Sequence, residues 1–243
     1  LRGSGSAARR ALAWIAAAAA IAAGGWLVTR GAGALRAVVE SPETGIRRAL
    51  SKIDERAPRA VTGVDATLRL ERIGFKDLLV TAGDGGARVV AVADAEGSVI
   101  WRGQEVGLSY VGRERILMIP CREQGWCRVG EPAPRLASLL ALLVRRAAAF
   151  DAADSAAYRE LVAADYRGPD GGRAALLGRL AADLTAEPRA RFRPIAWQIR
   201  IERDAAQVGE DYELRLGAGP ARRLRARLDL RDEGGRWWIT GGL

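Results

Sequence analysis

From Val64 onward apolar and polar residues alternate with a period of two, Val64, Ala66, Leu68 and Leu70 against Asp65, Thr67, Arg69 and Glu71. That is the pattern of a strand with one buried face. The same reading predicts strands through residues 78–81, 87–93, 98–111 and 116–120. Turn chemistry separates them at Gly83-Asp84-Gly85-Gly86, at Glu96-Gly97 and at Gly112-Arg113. Ahead of the strands, Ser41-Pro42-Glu43 starts a helix, with a hydroxyl to cap it and a proline where no N–H is needed. Ile46, Leu50 and Ile53 then share one face. Residues 41–131 therefore read as one helix on an antiparallel sheet.

After Gly130-Glu131-Pro132-Ala133-Pro134 the period lengthens. Leu136, Leu139, Leu140, Leu143 and Val144 form a helical stripe, a shorter helical stretch covers 158–162, and a third runs over about 172–184, entered through Pro169-Asp170-Gly171. Alternation then returns at Ile195, Trp197, Ile199 and Ile201, at Val208, Tyr212, Leu214 and Leu216, and at Leu224, Ala226, Leu228 and Leu230. A closing strand spans 236–240. The predicted class is α+β, with a second unit over 133–243.

Before either unit lie nineteen uncharged residues, 11–29, between Arg9-Arg10 and Arg30. As a helix they would extend about 27 Å, close to the roughly 30 Å hydrocarbon core of a bilayer. Trp14 and Trp26 suit its two interfaces. The division is thus a basic tail over 1–10, a transmembrane anchor or signal segment over 11–29, a linker over 30–40, and the two units. A permanent anchor and a cleaved export signal both fit, with small-residue cleavage patterns at Ala20-Ile21-Ala22 and Ala32-Gly33-Ala34. Arginines before the segment favour a cytoplasmic tail and an exported body.

Charge supports that division. The chain carries +9, but residues 1–36 hold five arginines and no acid, residues 37–150 hold 17 bases against 14 acids, and residues 151–243 hold 16 against 15. The excess belongs to the export segment and its flanks, so nucleic acid is not an expected partner. The chain has no histidine, which removes Ser–His and Cys–His nucleophile pairs and imidazole general bases. Two cysteines, Cys121 and Cys127, cannot by themselves complete a tetrahedral zinc site. No metal and no cofactor is expected. In an oxidising compartment the two cysteines read as a disulfide; the alternative is a pair of free thiols.

Helices first and antiparallel strands after, carried by AAAFDAADSAAYRELVAADYRGPDGGRAALLGRL and the terminal DLRDEGGRWWITGG, resemble the nuclear transport factor 2-like, or SnoaL-like, superfamily over residues 133–243. The resemblance implies a curved sheet folded over helices into a cone that often holds a small ligand, with an outer face that often dimerises. The first unit has a similar order, and ATLRLERI echoes WQIRIERD, so it reads as a degenerate relative of the second. Enzymes of this shape use a carboxylate base, a tyrosine donor or a histidine. The candidates here are Asp151, Asp154, Asp165 and Asp170 with Tyr158, Tyr166 and Tyr212, none of which the pattern assigns as catalytic. Alternation turns Trp197, Tyr212 and Trp237 inward, and with Tyr166 these rings would line a mouth for a small apolar ligand.

The chain accordingly reads as an exported, membrane-anchored binding or scaffolding protein of the cell envelope. Its expected partners are the membrane through residues 11–29, a second copy or an envelope protein, and a small apolar ligand. In layout it resembles periplasmic assembly components of type IV secretion systems and Mce-associated membrane proteins. The alternatives are a SnoaL-like isomerase or cyclase, and a soluble binding protein released by cleavage.

Overall fold

The computed structural model describes residues 41–51, 57–83, 85–122, 125–169, 171–187 and 190–242. The apolar segment 11–29, the linker 30–40, Ile53, Asp84 and Asp170 lie outside the described residues. Within them no helix is long and apolar enough to cross a membrane.

The chain runs α1 (Pro42–Ser51), β1 (Arg59–Ala60), β2 (Ala66–Gly83), β3 (Gly86–Trp101), β4 (Gln104–Cys121), β5 (Gly125–Val129), α2 (Pro134–Asp151), α3 (Ser155–Arg159), β6 (Val162–Gly168), β7 (Gly171–Gly172), α4 (Arg173–Ala186), β8 (Arg191–Glu202), β9 (Ala205–Arg215), β10 (Arg222–Glu233) and β11 (Arg236–Gly241). All strands join one sheet in the order β1-β2-β3-β4-β8-β9-β10-β11-β6-β7, with β5 on β4. The class is α+β, with a body dominated by the sheet. The two units expected from the sequence share that sheet, because β4 pairs with β8 from Gly107↔Ala196 to Gly112↔Ile201. That pairing is parallel, as is β11 with β6, so the sheet is mixed where antiparallel order was expected.

Two of the expected turns lie inside strands. Glu96-Gly97 sits in β3, opposite a bulge between Leu70 and Arg72 of β2. A Cβ on Gly97 would collide with the Arg69 carbonyl oxygen, so this glycine permits a close backbone approach. Gly112-Arg113 sits in β4, where pairing with β8 ends. The real reversal is Arg102-Gly103, both at positive φ (49° and 73°), a two-residue hairpin that interrupts the expected strand 98–111. The turn at 83–86 is as expected, closed by Gly83↔Gly86. Strand β6 replaces the end of the expected helix 158–162; it pairs with β11 at only two positions, Ile239↔Val162 and Gly241↔Arg167.

Strands β2 to β4 are long enough, at roughly 3.3 Å per residue, for their inward faces to serve two cores. At one end Leu136, Leu139, Leu140 and Leu143 of α2 are fully buried in one cluster with Leu68 and Leu70 of β2 and Trp237 and Ile239 of β11. The sheet therefore curls around α2. At the other end Ile46, Ala49 and Leu50 of α1 pack on Ala87, Val89, Ala91, Ile116 and Met118. Helix α1 starts as its sequence dictates, with Thr44 N–H donating to Ser41 Oγ at 3.3 Å. Trp126 of β5 covers it, lying 2.9 Å from where a Gly45 Cβ would sit. The Cys121–Cys127 disulfide is formed, Cα to Cα 5.7 Å, and ties β5 to β4.

Candidate functional site

The start of α2 shows how the two halves are joined. Pro134 has no N–H to satisfy, and the next two donors, Arg135 N and Leu136 N, reach Glu114 Oε2 and Oε1 at 2.9 and 3.0 Å. A carboxylate from the middle of β4 thus caps a helix twenty residues later, where the helix dipole favours an anion. Tyr110 OH donates to the same carboxylate at 2.6 Å. Burial pushes the Glu114 carboxyl above its ordinary range, against the pull of its donors. Burial, and then the Glu114 charge, push the Tyr110 phenol well up. Arg135 Nη1 donates to the Arg113 carbonyl at 3.2 Å, and its guanidinium lies 5.2 Å from the Trp237 ring.

Twelve residues into α2, Arg146 turns toward the inward face of the sheet. On β9 the inward positions are 206, 208 and 210, so Glu210 faces it. Arg146 Nη1 donates to Glu210 Oε2 at 2.6 Å and Trp197 Nε1 donates to Glu210 Oε1 at 2.9 Å. Arg146 Nε donates to Tyr158 OH at 3.1 Å. The guanidinium lies 5.1 Å from the Phe192 ring, which packs on Tyr212 at 4.8 Å and on Phe150 at 5.4 Å. Arg146 is 6% exposed and Glu210 1%. Burial alone would lower the Arg146 guanidinium; the facing Glu210 carboxylate more than offsets it and holds the charge in place. Glu210 thus spends both oxygens on fixed donors.

The rings expected to form one mouth are divided along the helix. Trp197, fully buried, and Tyr212, half-buried, join the Arg146 cluster. Trp237 belongs near the start of α2, donating through Nε1 to Ser138 Oγ at 3.0 Å; Ser138 and Arg146 are about 12 Å apart along the helix axis. Tyr166 is buried in β6, its hydroxyl beside Gly168. The acids hold the framework. Asp151 accepts from Phe192 N at 3.0 Å and pairs with Arg102 at 3.1 Å. Asp154 caps α3 by accepting from Ala157 N at 2.9 Å. Asp165 is exposed and doubly bonded to Arg231, which holds its carboxyl below the usual range.

Arg146, Glu210, Glu114 and Tyr110 were not singled out from the sequence. The available signal was a charge at an inward position: Glu210 falls between Val208 and Tyr212 in the alternation, and Arg146 follows Leu139 and Leu143 at helical spacing.

On another flank of α2, the partly buried Ala137 and Ser138, the buried Ala141 and Leu142 and the exposed Arg145 line a groove of about 460 Å³. Its walls come from Thr62, between β1 and β2 at one end of the strand order, and from Leu161 ahead of β6 and Gly235–Trp237 at the β10–β11 turn toward the other, so the groove is a seam between the first and last parts of the sheet.

No protein-family model and no curated protein matches the chain. Several solved structures that align with it are described as nuclear transport factor 2-like or as having a cystatin-like fold. One is a nuclear transport factor 2-like protein of unknown function from Pseudomonas putida, 17% identical over 43% of this chain and 80% of that one, with a TM-score of 0.40. Another is a nuclear transport factor 2-like protein from Novosphingobium aromaticivorans, 19% identical over 44% and 79%, at 0.37. A third is an uncharacterized cystatin-like-fold protein from Caulobacter vibrioides, 14% identical over 44% and 85%, at 0.41.

Proposed function

We propose that this chain is an exported, membrane-anchored protein of the cell envelope whose α+β body binds or scaffolds and does not catalyse. Residues 11–29 form its single span of the inner membrane, and the body lies in the periplasm or outside the cell. The observation that carries the non-catalytic reading is the Arg146–Glu210 pair: of the two buried acids among the described residues, Glu210 has both oxygens committed to Arg146 and Trp197, and Glu114 is held by Tyr110 and the backbone of Arg135 and Leu136. An isomerase or cyclase needs a buried carboxylate facing a free ligand space. Asp154 as a helix cap and Asp165 as an exposed partner of Arg231 do not supply one. The Cys121–Cys127 bond supports an oxidising compartment. A second copy or an envelope protein is its macromolecular partner.

The test is fractionation of cells making the full chain. The proposal expects pelleting with membranes, resistance to alkaline extraction, digestion of the body in protease-treated spheroplasts, and cysteines that alkylate only after reduction. A soluble species beginning at Leu35 would replace the anchor with a cleaved signal. A cytoplasmic species with reactive thiols would overturn the reading.

A further inference from the structure

We infer that the seam groove binds an elongated apolar molecule ending in a carboxylate. The floor is the flank of α2 at Ala137, Ala141 and Leu142, and Leu161 and Trp237 form an apolar wall. About 460 Å³ is the size of a small-molecule site, and the helix from Pro134 to Arg145 gives it a length of about 16 Å.

Charge selects the ligand. Arg145 and Arg236 line the groove against one acid, Glu131. Arg236 is committed, with Nη2 donating to the Glu160 carbonyl at 3.1 Å and its guanidinium 4.0 Å from the Trp238 ring. Arg145 has no ion-pair partner among the described residues, and its Nη2 lies 2.9 Å from where a Gly63 Cβ would sit, at the β1–β2 side of the seam. An exposed guanidinium at one end of an apolar trough offers paired donors to a carboxylate, with the tail lying along the helix toward Trp237. Thr62 stands beside it as a further hydroxyl donor.

The inference deepens the binding role proposed above and rests on it, but not on where the protein resides. Isothermal titration of the full chain in nanodiscs with 4-phenylbutyrate, and with 4-phenylbutanol as the uncharged analogue, tests it. The acid should bind saturably at one site and the alcohol at least about tenfold more weakly. R145Q should cost the acid about tenfold and leave the alcohol unchanged. Ala137→Phe, which fills a half-exposed part of the floor, should weaken both, while E131Q should leave the acid unchanged or tighter. Equal binding of acid and alcohol, an R145Q affinity equal to that of the unmodified chain, or no saturable binding by disulfide-bonded protein would overturn the groove assignment. Cytoplasmic recovery of a chain that still binds the acid would overturn the localisation alone.

Discussion

Arg145 and Arg146 are neighbours in sequence and opposites in structure. A step of one residue, about 100° around the helix, puts Arg146 against the sheet, 6% exposed and bonded to Glu210 and Tyr158, and leaves Arg145 exposed, without an ion-pair partner among the described residues. Inside, Arg146 Nε and Nη1 have fixed acceptors in Tyr158 and Glu210, so the charge organises the core. Outside, the guanidinium stays available to a molecule that arrives. The difference places recognition on the outer flank of the helix and structure on the inner one, although the cone is where the sequence led us to expect a ligand.

The inner arginine is the place for the largest effect. Removing one member of a buried pair leaves the other charge uncompensated, so Glu210→Ala should cost about 3–5 kcal/mol in urea unfolding. Replacing both, Arg146→Met with Glu210→Leu, should recover most of that, because two apolar side chains remove the desolvation cost together. A double variant as unstable as Glu210→Ala would mean that the pair is wanted for more than mutual neutralisation.

Next comes the disulfide, which fastens β5, and through Trp126 the helix α1, at the far end of the long strands. Cys121→Ser with Cys127→Ser should lower stability by about 2 kcal/mol in the chain-entropy picture. Hydrogen exchange should rise in α1 and β5 well before it rises in α2. A uniform rise would show that the two cores unfold as one.

A third variant separates the Glu114 cap from the Arg146 pair by its pH dependence. Burial raises the Glu114 carboxyl in the folded protein above its value in the unfolded chain, ordinarily about 4.3. The stability it contributes is therefore complete below the unfolded value and is lost as pH rises through the folded one. Glu114→Gln cannot ionise. The gap in Tm between the unmodified protein and this variant should be widest at pH values below the unfolded one and narrow as pH rises, and a gap independent of pH would contradict the burial argument.

The smallest effect belongs to the outer arginine. Arg145→Gln should change urea stability by no more than about 0.5 kcal/mol, since no internal partner loses its bond. A loss comparable with that of the inner pair would show that Arg145 is structural and would remove the contrast between the two.

Much of the scaffold was legible because it depends on local periodicity. The stripe from Leu136 to Val144 is α2, the Ser41-Pro42 start is α1, and burial alternates over Trp197–Ile201 in β8 and from Arg227 to Leu230 in β10, whereas Leu224, expected to face inward, is exposed like its neighbours. Non-local events were not legible. Glu96-Gly97 reads as a turn by composition, but its glycine answers to a backbone brought close by a bulge on another strand. Strand β6 owes its state to two partners on β11, some seventy residues later. At the candidate site, the alternation did turn Trp197, Tyr212 and Trp237 inward. It could not tell that Trp197 and Trp237 serve different ends of α2, nor that Arg146 and Glu210 meet, because pairing across 64 residues leaves no periodic trace. The groove was invisible for the same reason, as its walls meet only when the sheet curls.

The most direct test of this contrast is a side-by-side titration of 4-phenylbutyrate into the R145Q variant and into the Arg146→Met/Glu210→Leu double variant. Recognition on the outer flank predicts that R145Q loses about tenfold in affinity while the double variant binds as tightly as the unmodified chain. Full affinity in R145Q with loss in the double variant would place the ligand inside the cone and contradict the account.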